Sequence, residues 1–278
     1  MGIPACERRC ARSSGNGSAA GAIATTEPPL LRTQDLTIRF GGHVAVDHVS
    51  LEVPRGTLKS IIGPNGAGKT TFFNLLSGQY RPSEGRIAFA GRDITTWTAA
   101  ARTRLGIGRS FQLTNVFPTL TVLENVRLAV QARRGLGLVA WRDYRRFPEL
   151  EDRAYALLTE VLLETKWAAT AGALAHGEKR KLELGILLAL EPALLLLDEP
   201  TAGMSLEEVP AIVALIDGIR ARRLQTILLV EHKIDMVMSL SDTIAVLKDG
   251  RLIADDTPAA IARNPEVQAA YFGGGIRR

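Results

Sequence analysis

Apolar residues in this chain follow the two spacings that distinguish strands from helices. Short, mostly apolar runs at Leu58–Ile62, 193–197 and Thr226–Val230 predict strands that are buried on both faces, as in a parallel sheet. Between 31 and 53, apolar and polar residues alternate around Gly41-Gly42, which predicts an antiparallel sheet. Because the buried runs alternate with segments of helical spacing, the pattern indicates an α/β core with a β-rich flank.

Helical spacing predicts most of the remaining elements. Helices are expected over 179–190 and 212–220, and a closing helix is expected to end near 272. Asp249-Gly250 predicts a hairpin turn. Residues from about 113 to 175 have the size of an inserted helical lobe. Its apolar face, which we assign to the core, consists of Ala154, Leu157, Leu158, Val161 and Leu162.

The composition permits a large core and places few limits on partners. The chain has 278 residues, 46% of them hydrophobic, and a net charge of +5. This excess is compatible with solvation, with nucleic acid or with an anionic membrane surface. Cys6 and Cys10 indicate a reducing compartment and argue against a disulfide framework. We expect no membrane span and no secretory signal, because no apolar run reaches about 18 residues and the N-terminal arginines precede no apolar segment.

A phosphate-loop pattern follows the first buried run. It comprises Gly63, Pro64, Asn65, Gly66, Ala67, Gly68, Lys69 and Thr70. The glycines allow backbone N–H groups to surround an anion, and the helix expected from Thr71 adds the positive end of its dipole. Lys69 is suited to bridge the β- and γ-phosphates, and the Thr70 hydroxyl is suited to hold Mg²⁺. The loop therefore predicts nucleotide binding but no particular reaction.

Two adjacent carboxylates end the apolar run at 193–197. Asp198 is expected at the carboxyl edge of the sheet beside the phosphate loop, where it can hold Mg²⁺ directly or through water. Glu199 points to the other side of the strand and is suited to polarise the water that attacks the γ-phosphate. The alternative, an acidic pair that opens a helix, is disfavoured by the phosphate loop upstream.

Three further residues indicate a function only when they are considered together with these motifs. His232 follows the run Thr226–Val230 and can hydrogen-bond the γ-phosphate, although a histidine in this position is often structural. Gln112 lies where the chain enters the helical lobe and can reach Mg²⁺ or the attacking water. Phe40 precedes the glycine turn and serves either the core or stacking on a purine ring.

In this order and spacing, the motifs resemble those of the ATP-binding subunit of ABC transporters, over about 31–273. Phe40 resembles the aromatic residue of the A-loop, and residues 63–70 resemble Walker A. Gln112 resembles the glutamine of the Q-loop, residues 194–198 resemble Walker B, and His232 resembles the switch histidine. The resemblance implies an α/β P-loop NTPase fold: a RecA-like parallel-sheet core, an antiparallel β subdomain and an inserted α-helical subdomain. The expected domains are a disordered extension or misassigned start over 1–30, the ATPase over 31–273 with its lobe at 113–178, and a basic tail at 274–278.

The resemblance also implies ATP and Mg²⁺ as cofactors. Catalysis is expected from Glu199, His232, Lys69 and Gln112, and metal binding from Thr70, Gln112 and Asp198. The expected nucleotide contacts are Phe40, 63–71 and Asp198 in one subunit and, from the opposite subunit, the signature residues Ala175, His176, Gly177 and Glu178.

The partners implied by the resemblance are a second ATPase subunit in a head-to-tail dimer, two integral-membrane permease subunits and, indirectly, a periplasmic solute-binding protein. The chain is then expected on the cytoplasmic face of the inner membrane, with no nucleic acid bound. Segments such as Phe40-Gly41-Gly42, 109–112 and Val230-Glu231-His232 resemble importers of branched-chain amino acids, with urea or amide importers as the alternative. The apolar residues Val116, Phe117 and Leu120 form either the permease contact or lobe core.

A DNA-repair or ribosome-associated ABC protein is the main rival, and the short lobe and single nucleotide domain disfavour it. A P-loop GTPase would need an Asn-Lys-x-Asp base reader, which the sequence lacks.

The chain departs from the family pattern at two places. Ala175 stands for the signature Ser, with His176 and Glu178 for Gly and Gln, and Ser205 stands for the Asp that ends the D-loop at 202–205. Losing one neutral hydrogen bond costs roughly 0.5–1.5 kcal/mol, so we expect a weakened contact rather than an abolished one. We hypothesise that this chain hydrolyses ATP against a signature supplied by a different partner subunit.

Overall fold

The computed structural model describes residues 28–110, 116–136 and 148–272. The strands in these ranges are β1 (Leu31–Phe40), β2 (His43–Val53), β3 (Leu58–Ile62), β4 (Glu84–Phe89), β5 (Arg92–Asp93), β6 (Ile107–Arg109), β7 (Leu194–Asp198), β8 (Thr226–Val230), β9 (Thr243–Lys248) and β10 (Arg251–Asp256). The helices are α1 (Lys69–Ser77), α2 (Ala99–Leu105), α3 (Val122–Arg133), α4 (Pro148–Glu160), α5 (His176–Ala189), α6 (Val209–Ala221), α7 (Ile234–Leu240), α8 (Pro258–Arg263) and α9 (Pro265–Phe272). None of these helices has the length and apolar character needed to span a bilayer.

The larger sheet has the strand order β10-β9-β3-β8-β7-β6. The strands from β9 to β6 run parallel, and β10 pairs antiparallel with β9 through the predicted turn at Asp249-Gly250. The α/β prediction with a parallel core is confirmed. Because β3, β8 and β7 are neighbours and parallel, their carboxyl ends meet at one edge of the sheet.

Both faces of this sheet are covered, which explains why its strands are apolar throughout. In β7, Leu194 and Leu196 pack with α1, whereas Leu195 and Leu197 pack with the helices on the opposite face. All four side chains are fully buried. Complete burial of a leucine side chain contributes about 1.5–3 kcal/mol, so this short strand is a major part of the core.

The smaller sheet is antiparallel, with the order β2-β1-β4-β5, and it covers the α1 face of the core. The predicted alternation holds for Leu36 and Ile38, which are buried. It fails at Phe40, which the prediction placed on the same face but which is 46% exposed. Irregular pairing between β1 and β2, at Leu36/Ile38 and Ile38/Arg39, breaks the two-residue period before the strand ends. The core interpretation of Phe40 is therefore wrong.

The helices α3, α4 and α5 pack together on the opposite face of the parallel sheet. Ala154, Leu157, Leu158 and Val161 are buried there, as predicted. Leu162 is the exception: α4 has ended at Glu160, and Leu162 adopts a left-handed backbone (φ 58°) that leaves its side chain 58% exposed. Its assignment to the core was wrong because helical spacing does not extend past the helix end.

Two helix boundaries differ from the prediction. The first helical residue of α5 is His176 rather than Lys179, so the signature residues form the first turn of this helix instead of preceding it. The closing helix is two helices, α8 and α9, separated at Asn264 because Pro265 lacks the N–H that would continue α8. The bounds proposed for the domains and for the lobe at 113–178 stay predictions. Residues 1–27, Gln112 and residues 273–278 lie outside the described residues.

Candidate functional site

Three predicted motifs meet at the carboxyl edge of the parallel sheet. The phosphate loop follows β3, Asp198 is the last residue of β7, and His232 comes shortly after β8. The three strands are adjacent in the order β3-β8-β7, so the sheet brings together residues that are up to 169 positions apart. Strand ends at such an edge are the usual ligand-binding position of open α/β sheets.

The outer glycines of the phosphate loop lie so close to the backbone of other segments that a side chain would collide with it. A Cβ atom on Gly63 would lie 2.1 Å from the carbonyl oxygen of Leu247, and one on Gly68 would lie 2.3 Å from that of Ala45. Gly68 also has a φ of 93° and precedes α1 as its N-cap, with no side chain capping the first turn. Those first N–H groups are therefore available to an anion, and the helix dipole favours one.

The side chain of Lys69 lies inside the loop. Its ammonium donates hydrogen bonds to the carbonyl oxygens of Gly63 (2.7 Å) and Pro64 (3.0 Å). Burial lowers the pKa of Lys69, while the charges of Glu199 and Asp198 act in the opposite direction. The ammonium is thus held at the concave side of the loop by weak carbonyl acceptors, for which a phosphate oxygen is a stronger replacement.

Asp198 is fully buried, and only one of its two carboxylate oxygens accepts a hydrogen bond among the described residues. Its Oδ2 accepts a hydrogen bond from Nη2 of Arg109 at 3.0 Å, and its backbone N–H donates to Oγ of Ser110. Its Oδ1 is also buried and has no hydrogen-bond partner within the described ranges. Burial raises the pKa of Asp198, and the neighbouring Arg109 opposes that rise. One carboxylate oxygen is thereby fixed and the other is left for a ligand.

Arg109 was not among the predicted site residues. Besides Asp198, its guanidinium donates to Oδ1 of Asn74 (2.6 Å) and to Oγ of Ser77 (2.9 Å), both on α1. Its side chain is only 9% exposed. It therefore links the helix of the phosphate loop to the carboxylate of β7. The only local signal was a charged residue beside the short apolar segment at 107–108, because the partners are distant in sequence.

Glu199 and His232 are in direct contact. Nε2 of His232 lies 2.9 Å from Oε1 of Glu199. Glu199 has a left-handed backbone (φ 47°), which turns its side chain away from the line of β7. The buried Glu231, a second residue that the sequence analysis missed, bonds Thr201 through Oε1 and the backbone N–H of His232 through Oε2. This carboxylate connects the segments that follow β7 and β8, on which Glu199 and His232 lie.

Phe40 lies at the rim of the same site, with its ring edge-to-face on Tyr80 at a centroid distance of 5.5 Å. The groove that it borders is lined by Phe40, His43, Ala45, Asn65, Gly66, Ala67, Gly68, Lys69, Thr70, Thr71, Glu199 and His232. The structure therefore brings most of the predicted cis site residues to one groove.

The signature residues lie elsewhere: 175–178 are not among the described residues that line this groove. The carboxylate of Glu178 accepts a hydrogen bond from the backbone N–H of Ala175 at 3.0 Å, which is half of a capping box. The other half is missing because Ala175 has only a methyl group. A hydrogen bond from Lys166 is the largest cause of the lowered pKa of Glu178.

The residues at this edge of the sheet fit a magnesium ion. Mg²⁺ prefers oxygen ligands and is usually held by one or two protein groups, with phosphates and waters completing its shell. Oδ1 of Asp198, at the carboxyl end of β7, is a buried carboxylate oxygen without a hydrogen-bond partner among the described residues. Thr70 lines the groove, whereas Asp198 lies beneath the surface and is not among the lining residues. Clusters of three or more His, Cys, Asp or Glu side chains, which would suggest a metal cage made of protein alone, do not occur in 28–110, 116–136 or 148–272.

Comparison with known proteins places these features in a family. Residues 46–202 match the ABC transporter family, and residues 251–276 match the family described as branched-chain amino acid ATP-binding cassette transporter. The chain is 40% identical to the high-affinity branched-chain amino acid transport ATP-binding protein BraF of Pseudomonas aeruginosa, over 88% of this chain and 98% of the relative. It is 39% identical to LivG of Escherichia coli, a protein of the same description, with the same coverage. A crystal structure of the ADP conformation of an ATP-binding cassette from an ABC transporter superimposes with a TM-score of 0.76 at 29% identity, covering 89% of this chain and all of the other.

Proposed function

Because the chain belongs to the ABC transporter family of ATP-binding cassettes, we propose that it binds and hydrolyses ATP to power the import of branched-chain amino acids through separate membrane subunits. The observation that carries the ATPase proposal is the meeting of the phosphate loop, Asp198 and the Glu199–His232 pair at one sheet edge. The match of residues 251–276 and the named cargo of BraF and LivG support the choice of solute.

The mechanism assigns one task to each group. The N–H groups of 63–70 and the first turn of α1 hold the phosphates, and Lys69 exchanges its carbonyl acceptors for β- and γ-phosphate oxygens. The Thr70 hydroxyl and Oδ1 of Asp198 would hold Mg²⁺, which when bound neutralises the charge that develops on the phosphates. Glu199 accepts the proton of the attacking water, and His232 orients that carboxylate through the 2.9 Å contact. Gln112 keeps its proposed role at the metal or the water.

Phe40 is proposed to stack on the adenine ring. We expect Phe40→Ala to weaken ATP binding about tenfold, because stacking of a base on an aromatic ring is worth about 1–3 kcal/mol. Titration of a fluorescent ATP analogue measures this loss, and Phe40→Tyr should bind as the original chain does. Phe117→Ala is the matched control, since Phe117 is another exposed aromatic ring that does not border the groove. Equal losses in both alanine variants would contradict the stacking proposal.

In this family, the ATPase subunits dimerise and work with membrane subunits. We propose two permease subunits, a solute-binding protein on the far side of the membrane, and a peripheral position on the cytoplasmic face. Phe117, which is 60% exposed, is the proposed centre of the permease contact, with Val116 and Leu120 partly buried beside it. A second, different ATPase subunit would supply the signature that completes the ATP site of this chain.

Affinity purification of the tagged chain from detergent-solubilised membranes, with ATP present, tests the proposed function. We expect two integral-membrane proteins and a second ATPase subunit to co-purify, and Phe117→Ala to reduce the yield of the membrane proteins without reducing ATP binding. The associated solute-binding protein should then prefer leucine, isoleucine and valine over urea. Recovery of ribosomes or DNA-bound proteins without a permease would overturn the transport proposal.

A further inference from the structure

The first turn of α5 is joined to the loop after β7 by one carboxylate. Oε1 of Glu208 accepts a hydrogen bond from the backbone N–H of Gly177 at 3.2 Å. Its Oε2 accepts from the backbone N–H of Ser205 at 3.1 Å and from the Ser205 hydroxyl at 3.3 Å. Each oxygen therefore binds a different segment, and Glu208 joins its own loop to Gly177, which lies 31 residues earlier in the chain.

A second contact joins the same two segments. Nε2 of His176 lies 3.3 Å from the carbonyl oxygen of Ala202. A Cβ atom on Gly177 would lie 2.6 Å from Oε1 of Glu208, so a side chain there would displace the carboxylate from this hydrogen bond. A Cβ atom on Gly203 would lie 3.4 Å from Nε2 of His176. The two segments are thus packed against each other through small residues and polar contacts.

The carboxylate is ionised at neutral pH. The backbone N–H of Ser205 is the main cause of a lowered pKa of Glu208, and the N–H of Gly177 and the nearby His176 act in the same direction. Hydrogen bonds from N–H groups to an ionised carboxylate are stronger and more directional than those between neutral groups. An ionised Glu208 can therefore hold both segments at fixed positions although it lies at the surface.

Two of the residues that make this link depart from the family pattern. His176 stands where the signature has Gly, and Ser205 stands where the D-loop has Asp. Both side chains contact the other segment or the carboxylate that bridges to it. These two departures therefore occur together at one contact.

We propose that Glu208 is a positioning residue that holds the signature turn and the 202–208 loop as a single unit against the nucleotide of the second ATPase subunit. This inference rests on the proposed function, because only the ATP-sandwiched dimer places that nucleotide opposite the signature. Its physical basis is pre-organisation: a turn already fixed by Glu208 loses less conformational freedom when the dimer closes.

The test compares Glu208→Ala, Glu208→Gln and Glu207→Ala in the full chain and in the complex purified from membranes. Glu207 is the matched control, since it is an exposed glutamate one residue away. For Glu208→Ala we expect the kcat of the complex to fall by about half or more, because the site of the second subunit is impaired while this chain's own site keeps its partner's signature. The affinity of the isolated chain for ATP should stay unchanged within about twofold. Glu208→Gln keeps one acceptor oxygen and should lie between the alanine variant and the original chain.

Each other outcome has a distinct meaning. Unchanged turnover in Glu208→Ala, or turnover higher than that of the original chain, would overturn the inference. A parallel loss of thermal stability and of ATP affinity in the isolated chain would assign Glu208 a purely structural role and would also overturn it. Absence of ATPase activity in the unmodified complex, by contrast, would count against the proposed function itself.

Discussion

Replacing Glu199 with Gln is expected to lower the rate of ATP hydrolysis by about 10²–10⁴-fold, the usual contribution of a general base. The amide cannot accept the proton of the attacking water, but it has nearly the same shape and can still contact His232. The left-handed backbone at Glu199 (φ 47°) is kept, because Gln tolerates that conformation about as well as Glu does. Phosphate-release kinetics measures the loss, and ATP binding should persist.

The control for Glu199→Gln is the neighbouring carboxylate. Asp198→Asn removes the proposed Mg²⁺ ligand, so it should weaken Mg²⁺-dependent ATP binding, whereas Glu199→Gln should bind ATP and accumulate as the ATP-bound complex. These opposite effects on binding separate the base from the metal ligand. Turnover in Glu199→Gln within about tenfold of the original rate would refute the assignment of the base.

Replacing Arg109 with Ala is expected to reduce the free energy of unfolding by about 3–5 kcal/mol at neutral pH. The side chains of Arg109 and Asp198 are 9% and 0% exposed, and removing one partner of such a buried pair leaves an uncompensated charge. Equilibrium unfolding in urea measures the loss. Arg109→Lys should recover part of the stability, because Lys keeps the charge but cannot donate to Asn74, Ser77 and Asp198 from one planar group.

The pH dependence distinguishes a charge effect from lost packing in Arg109→Ala. Without the arginine, the pKa of Asp198, already raised by burial above its ordinary 3.8, should rise further. A carboxyl group with a raised folded-state pKa binds its proton more tightly in the folded chain, so stability falls as the pH rises from 3.8 through that higher pKa. The deficit of the variant should therefore be largest at neutral pH and should shrink as the solution is acidified.

Arg102 provides a matched control for this experiment. It is a more deeply buried arginine than Arg109. Its guanidinium donates to backbone carbonyl oxygens, and burial lowers its pKa to about 10. Arg102→Ala should also destabilise the fold, but the nearby carboxylate of Asp93 is exposed and Arg102 is the last of the causes of its lowered pKa, so the deficit should shrink far less on acidification than that of Arg109→Ala. The same pH profile in both variants would contradict the proposed pairing of Arg109 with Asp198.

The phosphate loop and the buried strands could be predicted because their signals are local. A continuous apolar run identifies β7 and β8 whatever surrounds them, since only a sheet covered on both faces buries every side chain. Gly66 and Gly68 have φ values of 83° and 93°, which the turn of the loop itself requires. The order Lys69, Thr70 and then Asp198-Glu199 was enough to indicate the chemistry before any contact was known.

The errors occur where a local period ends. Leu162 continues the apolar spacing of α4 but lies beyond its last turn, and Phe40 continues the alternation of β1 but lies beyond its irregular pairing with β2. Periodicity carries no information about the residue at which an element stops. Burial at these positions depends on the neighbouring elements, and both side chains are exposed.

The sequence alone therefore determined the fold class, the phosphate loop and the carboxylates and histidine at the sheet edge, because backbone requirements and burial patterns are written in consecutive residues. Only the tertiary structure decided which side chains hold these groups in place. Arg109 reaches Asp198 across 89 positions, and Glu208 reaches Gly177 across 31. Such contacts produce no repeating pattern in the sequence. Each depends on one pair of atoms that the packing of whole strands and helices brings within hydrogen-bond distance.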